Sequence, residues 1–309
     1  MGEPRRWNVA ERGSLAALRL MARLYQLLGR RFSLALLYPI AAYFFLRERS
    51  RSASRRYLAR VWAHPEGRKH LAGPPGFFAP FWHYHEFAVQ IFDRMVLWGG
   101  GLSQLRMDHA GSEHLFALQR ERRGALLLGA HLGSYDMPRQ LAGDYGLVLN
   151  VVMFTAHAER INRFFEQLDP KSRVRVLSLE PGSLSTAFDI KACLDRGELV
   201  GILADRVPVG SAETPVLLDF LGREMAFPLS PFRLACMLGC PVFLSLCLRK
   251  GDAHYETLVR PIGGGAKVPR HEREKAAVEL ARAWVQGLED ACVRHPYQWF
   301  NFYDTWERA

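Results

Sequence analysis

The sequence predicts an α/β fold, a mostly parallel sheet flanked by helices, with an N-terminal membrane-associated helical segment. Short apolar runs rich in Val, Ile and Leu alternate with longer amphipathic ones, which is the β-α-β pattern. An uncharged aromatic and aliphatic stretch near the N-terminus is bracketed by arginines. No repeat, low-complexity tract or long Gly/Ser linker splits off a second globular unit. The division that follows is 1–60 for the membrane-associated helices and 61–309 for the α/β domain.

In the N-terminal part, Phe32 to Leu46 carries no charge and is preceded by Arg30 and Arg31 and followed by Arg47, Glu48 and Arg49. No small-residue cleavage site follows, so the stretch reads as an uncleaved anchor. Its fifteen residues reach only about 22 Å as a helix, short of the roughly 30 Å hydrocarbon layer. Pro39 then suits either a kinked short span or a segment dipping into one leaflet. Just before it, Arg19, Arg23, Gln26 and Arg30 fall on one helical stripe among leucines, as in a helix lying in a bilayer interface. Two ordinary core helices are the alternative, but the dense arginines favour an anionic surface. From Pro74 to Leu97 an aromatic loop and helix follow; His83 and His85 there lack a third metal ligand and read as hydrogen-bonded histidines.

Strands are expected at Ala125 to Ala130, Leu147 to Phe154, Arg173 to Ser178, Leu199 to Ala204, Val216 to Phe220, Val242 to Leu248 and Tyr255 to Val259. Helices are expected from about Ser183 to Arg196 with Gly197 as the stop, from about Leu229 to Gly239, and over about His271 to Arg294. Gly263-Gly264-Gly265 lacks a following Lys-Ser or Lys-Thr and reads as a loop, not a phosphate cradle.

Composition narrows the function classes. With 49% hydrophobic residues in 309, the chain has enough apolar mass for a core. The charge, 41 − 31 = +10, favours an acidic partner: nucleic acid, an anionic bilayer or an acidic carrier protein. Neither an aromatic-basic sheet motif nor a recognition helix accompanies it, which sets nucleic acid aside. The five cysteines are odd in number and sit mostly in apolar runs, as reduced core thiols do, and no zinc spacing occurs. No metal or cofactor is expected.

The segment GALLLGAHLGSYDMPRQ carries the chemistry. A buried strand runs directly into His131, small residues follow, then Asp136, with Pro138 and Arg139 opening a helix. Five residues apart on one helix, the two side chains would diverge by about 140°, so they meet only across a loop, which Gly133 permits. A carboxylate on one imidazole nitrogen fixes the tautomer and raises the basicity of the other, which then deprotonates a hydroxyl attacking a thioester. Ser134 lacks a nucleophile elbow and reads as a loop-shaping residue. The alternative is a core histidine near a helix-capping aspartate. Asp205 and Arg206 end an apolar strand, where ligand groups gather; a structural ion pair is equally consistent. Arg223 suits bidentate binding of a phosphate or carboxylate, or a solvated turn. Arg160 and Asn162 follow another strand end and reach towards the same crevice. The aromatic tail from Trp299 to Trp306 reads as packing against the sheet or the membrane rim.

The blocks ALLLGAHLGSYDM, GELVGILADRVPVG and LDFLGREMAFPLSPFRLA resemble those of the late acyltransferases of bacterial lipid A biosynthesis, within the lysophospholipid acyltransferase superfamily. The resemblance covers most of the chain. It implies a glycerolphosphate acyltransferase-like fold, His131 as base with Asp136 as its partner, and Asp205, Arg206 and Arg223 near the acyl-donor or headgroup pocket. Many members carry Glu where this chain has Asp136; that and the tail HPYQWFNFYDTW resemble relatives found beside aryl polyene biosynthesis genes. The expected donor is an acyl carrier protein or acyl-coenzyme A and the acceptor a lipid or glycolipid hydroxyl, at the cytoplasmic face of the bacterial inner membrane. A scaffold that only binds lipid or carrier protein is the competing function.

Overall fold

The computed structural model describes residues 15–47, 50–98, 104–134, 146–154, 174–179, 184–207 and 213–306. Three helices open the chain: α1 (Leu15–Arg47), α2 (Arg51–Ala63) and α3 (Ala79–Trp98). Then come β1 (Arg106–Ala110), α4 (Ser112–Glu121), β2 (Ala125–Gly129), β3 (Leu149–Phe154), β4 (Val174–Leu179), a helix at Leu184–Asp195, β5 (Leu199–Leu203), β6 (Val216–Phe220), β7 (Arg223–Phe227), a helix at Ser230–Leu238, β8 (Pro241–Gly251), β9 (His254–Gly264) and a long helix at Arg273–Arg294.

The main sheet has seven strands in the order β1-β9-β8-β2-β5-β3-β4. All its pairings are parallel except the β8–β9 hairpin. The central strand β2 shows why the sheet reads as unbroken apolar runs. Leu126 and Leu128 enter one core, with Trp284 and Leu288 of the long helix, while Ala125 and Leu127 enter the other with Leu115 and Leu118 of α4. With both faces covered, alternation disappears from the sequence. Trp284 lies against β2 and donates from Nε1 to the Leu128 carbonyl at 2.9 Å, so the helix is keyed to the strand that leads to His131.

The expected strands are all present, and the glycines expected to stop helices do so: Gly197 and Gly239 adopt φ of 76° and 68°. Three elements were not anticipated, β1, α4 and β7. The last belongs to a separate two-stranded hairpin with β6, where a turn before a helix was expected. Its two-residue loop has Leu221 at φ 53° and Gly222 at φ 73°. Positive φ at both positions matches a type I′ turn, but Asn or Asp normally fills the first, so Leu221 hides the hairpin from a sequence reading. The five cysteines are buried and free.

The N-terminal segments form one helix kinked at Gly29 (φ 75°), where Ser33 Oγ donates to the Gly29 carbonyl at 3.0 Å. One face of α1 packs on α3 through Leu37, Val89, Phe92 and Val96. Arg30, expected on a solvated stripe, turns inward to the buried carboxylate of Asp93 and also reaches Asp252, while Leu27 is 79% exposed. Ion pairing with a partner on α3 therefore overrides the orientation read from the helix alone. The outer face presents Leu27, Phe32, Tyr43, Phe44, Phe78 and Trp82. Among the described residues no helix is long and apolar enough to cross a membrane.

Candidate active site

Strands β2 and β5 lie side by side and parallel, with Gly129 opposite Leu203. Two residues beyond each partner stand His131 and Asp205, so register alone brings them together at the carboxyl ends of adjacent strands, where open α/β sheets bind ligands. His131 Nδ1 lies 2.8 Å from Asp205 Oδ1, and the His131 backbone N–H donates to Oδ2 at 3.0 Å. The imidazole is 22% exposed and the carboxylate fully buried. A strand end, not a helix face, thus carries the pair.

The chain after His131 is held by the neighbouring strand and by the tail. Gly133 sits at φ 70°, and a Cβ there would meet the Cys247 carbonyl oxygen at 2.0 Å, so only glycine fits. Its N–H donates to the Gln298 carbonyl at 2.9 Å, Ser134 N–H donates to the Cys247 carbonyl at 2.8 Å, and Phe300 N–H donates to the His131 carbonyl at 2.8 Å. These contacts thread the tail beside the histidine. Trp299 Nε1 and Asn301 Nδ2 each donate to Asp205 Oδ2 at 3.1 Å.

Burial by itself would raise the Asp205 pKa, but the positive charge and hydrogen bonds of His131 and the nearby Arg206 guanidinium outweigh it and hold the carboxyl well below the usual range. Asp205 is therefore an anion at neutral pH with every near neighbour a donor. His131 Nδ1 carries its proton towards it, which leaves Nε2 as the basic nitrogen in the neutral ring.

Behind the tail stands His83, fully buried on α3. Its Nε2 donates to the Trp299 carbonyl at 2.9 Å, which makes Nδ1 the acceptor for Ser54 Oγ, also at 2.9 Å. It is the hydrogen-bonded histidine expected from sequence, and burial pushes its pKa down to about 4 from an ordinary 6.5. Between those values the unfolded chain binds more protons, so this contribution is whole above pH 6.5 and drains as pH falls towards 4. His83 should cost about 2 kcal/mol of stability at pH 5 relative to pH 7. His295, also pushed down to about 4 by burial, acts in the same window. Urea unfolding at the two pH values checks this: His83→Gln should show a clearly smaller drop than the unsubstituted chain, and an equal drop would assign the acid sensitivity elsewhere.

The other residues singled out from sequence fall in different places. Asp136, Arg160 and Asn162 lie outside the described residues. Asp205, expected either near the donor or headgroup or in a structural ion pair, is engaged by His131, Trp299 and Asn301, because β5 is the strand next to β2. Arg206 binds the tail: Nε donates to Asn301 Oδ1 at 2.6 Å and Nη2 to the Phe300 carbonyl at 3.1 Å, with its guanidinium over the Tyr303 ring. Ser134 is buried, 1% exposed, in the turn after His131, and its Oγ has no hydrogen-bond partner among the described residues. Arg223 starts β7 and lines a separate cavity with Arg56 and Arg60. Sequence reasoning missed Trp299, which it read as packing, and Asn301, which it left without a role; the one available signal was the amide side chains of Gln298 and Asn301 in an otherwise aromatic run. Among the described residues no group of three or more His, Cys, Asp or Glu is placed to hold a metal.

A model of the bacterial lipid A biosynthesis acyltransferase family matches residues 19–308. The chain belongs to that family. As a lipid A acyltransferase family member it has α1 from Arg19 onwards, the sheet and the Trp299 to Trp306 tail inside the matched span. Membership places it among acyltransferases, and the blocks that hold His131, Asp205 and Arg223 all lie within the matched residues. A phosphatidylinositol mannoside acyltransferase of Mycolicibacterium smegmatis is 29% identical over 210 residues, 64% of this chain and 63% of the relative. The match therefore spans less than two thirds of that relative's length.

Proposed function

We propose that the chain moves a fatty acyl or polyenoyl group from a thioester, on acyl carrier protein or coenzyme A, to a hydroxyl of a lipid or glycolipid. The observation that carries this reading is the His131–Asp205 pair, an imidazole that is 22% exposed and held through Nδ1 by an ionised, buried acid. Nε2 takes the acceptor's hydroxyl proton as the oxygen attacks the thioester carbonyl carbon. The C–O bond forms, the C–S bond breaks, and the imidazolium returns its proton to the departing thiolate. Asp205 stabilises the imidazolium in between. The resemblance assigns the partner role to Asp136, which in this reading adds a second negative charge favouring the imidazolium without occupying Nε2, and Arg160 and Asn162 serve the acceptor headgroup.

The exposed apolar face of α1 and α3, with Arg47 and Arg51 at its end, supports seating on an anionic bilayer, in this reading the cytoplasmic face of a bacterial inner membrane. An excess of positive charge also suits acidic carrier proteins. The acceptor is a lipid A precursor, an aryl polyene lipid, or a mannosylated phospholipid like the one named for the relative. Protein in detergent is to be given acyl-coenzyme A or acyl carrier protein with each acceptor lipid in turn. Acceptor-dependent thiol release with a matching gain of acyl mass on the lipid is expected. Lipid binding without thiol release from either donor would favour a scaffold.

A further inference from the structure

On the far side of the tail from Asp205 lies a cavity of about 570 Å³ whose lining includes Arg56, Arg60, His64, Arg223, Asp304 and Trp306. Trp306 forms part of its wall, stacks on Phe220 and meets Trp299 edge-to-face, at 6.1 Å between centroids in both cases. One face of this aromatic group thus borders the cavity while the Trp299 indole on the other holds Asp205. Neither His131 nor Asp205 lines the cavity.

Its charge is unbalanced. Among the described lining residues three guanidinium groups meet one carboxylate, Asp304, which Arg56 engages through Nε at 2.6 Å; outside the lining, Glu289 lies 3.9 Å from His64 Nε2. Arg60 is oriented by stacking over Trp306 at 4.7 Å, with Nη1 3.5 Å from the Leu221 carbonyl oxygen. Arg223 is exposed and has no hydrogen-bond or ion-pair partner among the described residues. Two cations, Arg60 and Arg223, are close enough for each to disfavour the other; burial first, then the Arg223 charge, lowers the Arg60 pKa. A fold that holds like charges together on a hairpin turn and a helix, with a planar ring beneath one of them, is arranged for a multivalent anion. Guanidinium groups offer paired donors matched to the oxygens of a phosphate, and such charge-assisted bonds are the strong ones.

We infer that the Arg56–Arg60–Arg223 cavity binds a phosphate group borne by one of the substrates. The chemistry is that of a phosphate ester, supplied either by an acidic lipid headgroup or by the phosphorylated arm of the donor. The inference rests on the acyl-transfer reading only for which molecule delivers the phosphate. Placed beyond the aromatic wall, the cavity would anchor a substrate at a distance from the bond being made, which is how remote binding energy positions a reacting centre.

The test uses the full chain in neutral detergent at one ionic strength set with sodium chloride, so that general screening is constant. Inorganic phosphate and 4′-phosphopantetheine are the soluble probes, and micelles doped with phosphatidic acid are the lipid probe, with binding read by calorimetry. Saturable binding is expected, at least about tenfold weaker in Arg223→Gln and lost in Arg223→Glu. Both variants should keep the melting temperature of the unligated protein, because Arg223 is exposed at the first position of β7. Tighter binding of phosphopantetheine assigns the cavity to the donor; tighter binding of phosphatidic acid assigns it to the lipid. Absence of saturable binding for all three probes, or affinity unchanged in Arg223→Gln, overturns the inference. His131→Ala separates the two readings, since it should bind phosphate as tightly as the unsubstituted chain while failing in acyl transfer.

Discussion

Replacing His131 by alanine should lower acyl transfer on the order of 10³-fold while leaving a folded protein. General-base catalysis by a positioned imidazole contributes about 10²–10⁴-fold, so three decades, roughly 4 kcal/mol of activation free energy, is the expected scale. The fold should survive because the contacts that thread the tail beside this residue are made by its backbone. Its N–H reaches Asp205 and its carbonyl accepts from Phe300, and alanine keeps both. Among the described residues, what disappears is the one partner of Asp205 Oδ1, at a stability cost of about 1–2 kcal/mol that water at the partly exposed ring position offsets in part. Thiol release from acyl-coenzyme A with acceptor lipid measures the loss. Turnover within threefold of the unsubstituted chain would mean that another group accepts the proton.

The second large effect is at Asp205, where asparagine changes no volume but inverts the hydrogen-bond pattern. Oδ2 accepts from the His131 N–H, Trp299 Nε1 and Asn301 Nδ2, so the asparagine carbonyl oxygen must occupy that side. Its amide nitrogen then faces His131 Nδ1 as a donor. The imidazole meets it by presenting Nδ1 as acceptor and moving its proton to Nε2, which removes the base from the side where the acceptor hydroxyl would sit. Activity should fall on the order of 10³-fold, chiefly in kcat. The companion Asp205→Ala should be much less stable, by about 3 kcal/mol or more, because three donors would be left facing an empty site. Imidazole ¹⁵N shifts report the tautomer directly. An Asp205→Asn protein with Nδ1 still protonated and normal kcat would remove Asp205 from the mechanism.

Much of the architecture was legible because it is locally encoded. The run Ala125 to Gly129 is apolar at every position, and β2 is buried on both faces. Glycines at 197 and 239 stop helices because a left-handed residue is cheap there, wherever the helix packs. Gly133 announced a loop after His131, and it does adopt φ of 70°. The elements missed were those whose local chemistry is atypical, such as the hairpin closed by Leu221 where asparagine is the usual choice. The inward turn of Arg30 was not legible for a related reason: it is polar in sequence but finds Asp93 on another helix.

His131 at a strand end, a polar loop after it and the alternation of strands and helices are properties of short stretches of chain, and side-chain period and backbone preference suffice to read them. Which acid meets the imidazole is different in kind. It depends on β5 lying beside β2 with Gly129 opposite Leu203, and on a tail nearly a hundred residues beyond Asp205 folding back so that Trp299 and Asn301 close over its carboxylate. Strand order is chosen by the packing of helices on both faces of the sheet, a sum over contacts distant in sequence, so only the folded chain could put Asp205 next to His131.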